Sequence, residues 1–348
     1  MNGATVDRPA GGHRLAIRAG LLALGLIGGV ALAAPLLATN DPTAQFRDHV
    51  LAPPMLPRIV DAEGRWHVRP FIYPLRVADR LERRFAEDRA RPVALGFFVR
   101  GRLIAPLDPG GGPWLPLGAD RLGRDGWARL VLGARRSLGV ALVASLGALA
   151  LGLAIGIGAG YSGGLVDLVL MRAAELVLVL PVLYVVLAAR ATLPATIPPS
   201  VVFTLMSALL ALTGWPMVAR GVRAIVAREA VQEFAVAARA LGASPARIVW
   251  YHLAPATLGF LRVQGLQLLP AAILAETTLS FAGLGFAPDA PSWGTLLHDA
   301  SDIGVLNDAP WLLAAAGAVV AGATATALYF GTRSAGDDGA LHVTGTVH

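Results

Sequence analysis

The sequence predicts an all-α polytopic membrane protein, and three observations carry that prediction. The 348 residues are 55% hydrophobic, with a mean hydropathy of +0.61. Only 15% are charged, against about 25% in an ordinary soluble domain. Four stretches, Ala19 to Ala38, Ser137 to Val166, Ala191 to Ala219 and Pro310 to Thr332, hold no Asp, Glu, Lys or Arg. Each is long enough to cross a hydrocarbon core, which takes about 20 helical residues. A soluble helical protein with a greasy core fits the composition but not these run lengths.

Six spans follow from the apolar pattern. Arg8, Arg14 and Arg18 precede the first run, from Ala19. That run exceeds the signal-peptide core of about 7 to 15 residues, so it reads as an uncleaved span. Residues 1–18 are then a cytoplasmic N-terminus and 19–38 span one. Residues 39–127 form an extracytoplasmic insertion and a lead-in helix. Residues 128–332 hold spans two to six, at about Leu138 to Tyr161, Leu168 to Ala189, Pro198 to Val218, Phe260 to Leu284 and Trp311 to Phe330. Residues 333–348 read as a cytoplasmic tail without fixed structure. Arg220, Arg223, Arg228, Arg239 and Arg247 fall in the 220–258 loop, while the 286–309 loop carries only Asp as charge. Short cytoplasmic loops gather positive charge, so the 220–258 loop faces the cytoplasm, as do both termini.

The insertion reads as a small α+β unit. Arg58 to Val60 and Trp66 to Phe71 are strand-like around an Asp-Ala-Glu-Gly turn. Leu75, Ala78, Leu81 and Phe85 share one face of a helix predicted over Leu75 to Arg89. Val93 to Phe98 and Leu103 to Ala105 bracket a second hairpin at Arg100-Gly101. In span two, Gly152, Gly156 and Gly160 recur every four residues, a stripe that lets another helix backbone approach closely.

Composition removes several chemistries. There is no Cys, so disulfides and thiolate catalysis are excluded. There is no Lys either, and a Walker A loop needs its Lys on the nucleotide phosphates. Pro109-Gly-Gly-Gly-Pro113 is therefore a flexible turn. No His-Glu-x-x-His occurs and no His lies deep in a span. Gly160-Tyr-Ser-Gly-Gly164 spells Gly-x-Ser-x-Gly, but a nucleophile elbow needs a strand before it, and this string ends a membrane helix. A membrane-embedded hydrolase and an autonomous channel are the rival classes; the channel lacks a selectivity filter or charged ring. The net charge of +6 fits Arg-rich faces beside lipid headgroups, not nucleic acid.

The 220–258 loop carries the most information. Gln232 to Leu241 is rich in helix formers, and Gly242 stops it. Ser244-Pro245 starts a second short helix with Pro in its first turn, and Pro255 marks the entry to span five. An amphipathic hairpin lying on headgroups has the same outline. Ala237, Ala238, Gly242 and Pro255, however, match the EAA loop of permease subunits of ABC importers, and the segment resembles that loop.

The resemblance extends along the chain to the C type of dipeptide and oligopeptide permease subunits. It is carried by Gly118-Ala-Asp120-Arg-Leu-Gly123-Arg124-Asp125, by Gly163-Gly-Leu-Val-Asp167 with Arg172, and by Gly214-Trp215-Pro216 with Ala219-Arg220. Further matches are Ile273-Leu-Ala-Glu276, Leu279-Ser-Phe281, Gly283-Leu-Gly285 and Pro291-Ser-Trp293-Gly294. They run in order from Gly118 to Gly294 and leave the insertion uncovered.

The resemblance implies the fold of a type I importer permease and several partners. These are a homologous permease subunit, two cytoplasmic ATPase subunits that hold ATP and Mg, an extracytoplasmic solute-binding protein and the inner-membrane bilayer. It implies no cofactor, catalytic residue or metal site in this chain. The ATPase-coupling surface would comprise Glu233, Val236, Ala237, Ala238, Arg239, Leu241, Gly242 and Pro255. Val236 stands where the motif has its Glu, which leaves docking to shape and Arg239. Related permeases carry nickel or other small solutes. Asp120, Arg124 and Asp125 suggest a salt-bridge network at the start of span two, and Arg172 and Glu175 suit snorkelling to an interface. Glu276 and Trp215 are candidates to line a translocation path, and Glu276 is equally placed to anchor span five to a neighbouring helix.

Overall fold

A computed structural model of the chain describes Gly25 and residues 28–79, 82–192, 194 and 197–344. Residues 28–32 are helical and α1 follows at Ala34–Leu37; the remainder of span one lies outside the described residues. Among the described residues, three helices are long and apolar enough to cross a membrane: α2 (Gly126–Ser162), α5 (Pro199–Glu229) and α9 (Leu258–Phe281). A fourth crossing is available if α3 (Gly164–Val179) and α4 (Val182–Ala191) count together, although they bend by 80°. Span three was expected as one helix. Pro181 breaks it, because Pro donates no N–H and pushes the preceding residue out of helical backbone; Leu180 is extended, with ψ of 121°.

The remaining helices are α6 (Glu233–Ala240), α7 (Pro245–Ile248), α8 (Ala254–Ala256), α10 (Trp293–Ala300), α11 (Ile303–Asp308) and α12 (Pro310–Thr344). The charge-free stretch of α12 runs from Pro310 to Thr332. The helix itself continues to Thr344, where an unstructured tail was expected. Its hydrogen bonds are local, and residues 331–344 contain no Pro to interrupt them.

The membrane helices organise around α2. At about 1.5 Å per residue its 37 residues reach some 55 Å, well beyond a hydrocarbon core of about 30 Å. Its glycine stripe lies against α5. A Cβ on Gly152 would sit 2.4 Å from Val218 Cβ, one on Gly156 2.7 Å from the Ala219 carbonyl, and one on Gly160 2.7 Å from the Arg223 carbonyl. Val218, Val222 and Val226 are fully buried against the stripe. The expected packing surface is thus satisfied inside the chain. In lipid, where apolar burial gives helices no advantage over tails, such close backbone approach is a main source of association.

The insertion is a β unit. Strands β1 (Arg58–Val60), β2 (Trp66–Ile72), β5 (Val93–Val99) and β6 (Arg102–Pro106) form an antiparallel sheet in the order β1-β2-β5-β6. The helix expected over Leu75 to Arg89 is instead a hairpin of β3 (Leu75–Asp79) and β4 (Arg84–Glu87). Leu75, Val77 and Phe85 fit a two-residue alternation as well as a helical one, and Val77 pairs with Phe85 across the strands. No α-helix occurs among the described residues of 39–125, so neither the α+β reading nor a separate lead-in helix holds. Ile72, Val93, Leu95, Trp114 and Leu115 form the unit's core, and Arg83 ties it to Asp308 at the end of α11, 2.6 Å away.

Gly156→Leu should force α2 and α5 apart and destabilise the detergent-solubilised protein by about 1–3 kcal/mol or more. Gly158→Ala, whose Cβ meets only Leu170 at 3.9 Å, should leave the thermal midpoint unchanged.

Candidate functional site

The 220–258 segment begins inside α5, which continues beyond the expected Val218 to Glu229. Helix α6 follows and ends on Gly242, whose φ of +81° suits a residue without Cβ. Leu241 N–H donates to Ala237 O and Ala243 N–H to Ala238 O, so the last carbonyls of α6 are capped. Ser244 then caps α7, its hydroxyl oxygen accepting from Arg247 N–H at 3.4 Å. A π-helical turn over Val249–Leu253 and the short α8, which contains Pro255, lead into α9. The expected helix, glycine turn and second helix are all present.

One face of α6 is fixed to the bundle. Ala235 is fully buried, and Ala238 packs on the cluster of Val226 and Ile248. Phe234 meets His252 of the π turn with ring centroids 5.8 Å apart. The opposite face is open: Glu233, Val236, Ala237 and Gly242 are exposed, and Leu241 is 88% exposed. Arg239 was expected on the docking face. It is exposed, and its guanidinium donates to Ala230 O and lies 5.9 Å from the Tyr161 ring at the end of α2. It is a strut under the ridge. Trp250 and Tyr251, 66% and 76% exposed, flank the ridge and were not singled out from sequence. Their signal was an aromatic pair beside a span, a pattern common at membrane–water interfaces.

Asp167, in the first turn of α3, makes a two-pronged contact with Arg223 of α5, one prong being 2.9 Å from Nε. It secures α3 just where α5 leaves the bundle. Arg172 pairs with Glu175 at 2.7 Å on the exposed surface of α3, so its charge is met within the chain.

At the β-unit end, the predicted cluster is real and larger than expected. Arg124 contacts Asp120 and Asp299, each at 2.7 Å, and Arg129 contacts Asp299 at 3.0 Å. All four side chains are buried. Arg129 and Asp299 are additions that sequence reasoning missed: Asp299 lies 175 residues from Arg124 and only folding brings it near. Asp125 caps α2, accepting from Trp127 N–H at 2.9 Å and Ala128 N–H at 3.2 Å. Thr39 and Asn40 also donate to it. Burial pushes the Asp125 carboxyl above the usual carboxylate range, and these four donors offset only part of that rise. Gly123 has φ of +73°, and a Cβ there would meet Phe46 O at 2.3 Å.

Helix α10 is wedged between α2 and α9. Trp293 is buried, its backbone N–H donating to Ser137 Oγ of α2 at 3.0 Å. A Cβ on Gly294 would lie 2.4 Å from Thr277 O of α9. Glu276 is fully buried at this junction. Ser280 donates to its Oε1 at 2.8 Å, and the hydroxyls of Ser137 and Ser292 lie within reach. Ser292 is the N-cap of α10, so the carboxyl faces a helix N-terminus, which favours an acid. Glu276 thus sits where α2, α9 and α10 meet. Trp215, 7% exposed, packs with Ala174 and Ala219 and is likewise closed off within the single chain. Among the described residues no cluster of three metal-ligating side chains occurs.

Residues 152–331, just over half of the chain, match the model of the binding-protein-dependent transport system inner membrane component family. The chain belongs to this family. Within the matched region fall the glycine stripe, the Asp167–Arg223 contact, the α6 ridge and the Glu276 junction. Among curated relatives, a dipeptide transport system permease protein of Bacillus subtilis is 37% identical over 193 residues, 56% of this chain and 58% of that protein. An oligopeptide transport system permease protein of the same organism is 34% identical over 196 residues, 56% of this chain and 62% of its own length. These matches span under two thirds of those two relatives. A di/tripeptide transport system permease protein of Pseudomonas aeruginosa matches more broadly, 30% over 308 residues, 88% of this chain and 82% of the relative.

Asp299→Ala should cost about 3–5 kcal/mol, since it leaves Arg124 and Arg129 buried without their shared partner. Arg172→Ala, which removes only an exposed contact with Glu175 at 2.7 Å, should cost under about 1 kcal/mol. Thermal unfolding of the two variants in one detergent checks the contrast.

Proposed function

We propose that the chain is a permease subunit of an ATP-driven, binding-protein-dependent importer of di- or oligopeptides in a bacterial inner membrane. It forms half of a translocation path with a homologous permease subunit. Two cytoplasmic ATPase subunits bind ATP and Mg and supply the energy. The observation that carries this reading is the open ridge of α6, an exposed Glu233–Val236–Ala237–Leu241 surface on a helix held from behind by Ala235, Phe234 and Arg239. A surface with rigid backing can transmit a push; a loosely attached one would absorb it.

In this reading the ridge seats in a groove of the ATPase. Its displacement is carried through the π turn and α8 into α9, and through Arg239 into the ends of α2 and α5. A rigid-body switch between two arrangements follows. The contact is made by shape and apolar surface, because Val236 occupies the position of the motif carboxylate. Both termini and the 220–258 segment face the cytoplasm. The β unit faces outward, where it meets the solute-binding protein or covers the mouth of the path. The relatives' names support peptide as the solute; nickel or another small solute is the alternative, and a thermal-shift screen of the cognate binding protein distinguishes them.

Gly242→Val should distort the end of α6, since a β-branched residue is strained at φ of +81°. In the assembled transporter this variant should lose peptide uptake by at least tenfold and retain less ATPase through purification. Wild-type uptake and co-purification by Gly242→Val would refute the docking role.

A further inference from the structure

A cavity of about 420 Å³ lies beside the first third of α2, at the β-unit end of the bundle. Leu132, Arg135 and Arg136 line it from one face of that helix, Phe203 from the start of α5, and Pro42 from the segment after span one. Residues at i, i+3 and i+4 share a helix face, so both guanidiniums reach the same space. Phe203 is held on this face by contact with Gly139. None of the lining residues is acidic.

The two arginines differ in what satisfies them. Arg136 donates to Pro291 O at 2.9 Å and is attracted by Asp289. Arg135 has no hydrogen-bond or ion-pair partner among the described residues. Both stand immediately before Ser137, the first residue of the charge-free run. Arg135 is exposed and Arg136 half-buried, with apolar side chains on the other walls of the cavity, so the Arg135 guanidinium is open to a ligand. Its planar fork of N–H donors matches a carboxylate or phosphate.

We propose that this cavity is an oxyanion site in which Arg135, supported by Arg136, holds a phosphate or carboxylate group. Two sources share that chemistry: the phosphodiester of an anionic lipid, and the C-terminal carboxylate of a transported peptide. The second rests on the functional reading above; the first does not.

Two probes separate the sources. Palmitoyl-oleoyl phosphatidylglycerol is titrated onto the purified subunit in dodecyl maltoside, and bound lipid is counted by native mass spectrometry. Dialanine uptake is measured in proteoliposomes of the whole transporter. Wild type, Arg135→Gln and Arg135→Lys are compared, with equal thermal midpoints showing that the variants fold. A tenfold loss of lipid retention in Arg135→Gln, largely restored in Arg135→Lys, with unchanged KM for dialanine, supports the site and assigns it to lipid. A tenfold rise in KM with unchanged lipid retention supports it and assigns the solute carboxylate. No change in either readout overturns the proposal. Absence of dialanine uptake by the wild type overturns the peptide reading instead, and lipid retention then decides the cavity alone.

Discussion

The close contact between α2 and α5 is the constraint on which the other parts depend. Three glycines on α2 allow the backbone of α5 to approach until its carbonyls and valines fill the space a Cβ would need. Each valine is β-branched and stiff, so the fit loses little side-chain entropy on assembly. With that pair fixed, Tyr161 and Arg223 arrive at one end of the bundle in defined places. There Arg223 meets Asp167, and Tyr161 supports Arg239 beneath α6. A looser helix pair would leave both contacts without a reference frame.

The two ends of the bundle are stabilised by different physics. At the β-unit end, two arginines and two aspartates are buried together, and their mutual satisfaction makes the junction of α2, α10 and the 118–125 segment stiff. A buried network of this kind is intolerant of losing one member. At the other end, α6 is attached by an aromatic contact, one alanine face and a single arginine strut. That attachment is lighter, and it leaves an exposed surface. The asymmetry suits a device with a fixed frame at one end and a coupling element at the other.

Much of this was legible in the sequence. The glycine stripe, the helix–glycine–helix outline around Gly242 and the strands at 58–60, 66–72, 93–99 and 102–106 follow from local spacing and turn residues. The 75–89 hairpin was not legible, because Leu75 and Phe85 satisfy helical and strand periods alike, and only pairing of Val77 with Phe85 decides between them. The break at Pro181 was readable in principle, but the apolar run around it hid it. Asp299 and Arg129 could not be joined to Asp120 and Arg124 without the fold. The contacts of Arg239 with Ala230 O and the Tyr161 ring were not legible either, because they join segments that only the fold brings together. Glu276, ambiguous as an intramembrane acid, lies among serines and a helix N-terminus that only the fold brings to it.

The claim that the open face of α6 seats in a partner ATPase is tested most directly by accessibility. The chain contains no Cys, so a single Leu241→Cys variant carries a unique thiol at the most exposed apolar position of the ridge. Maleimide labelling of that thiol is measured in the isolated subunit and in the complex with the ATPase subunits. The account predicts rapid labelling alone and at least tenfold slower labelling in the complex. Equal rates in both would contradict it.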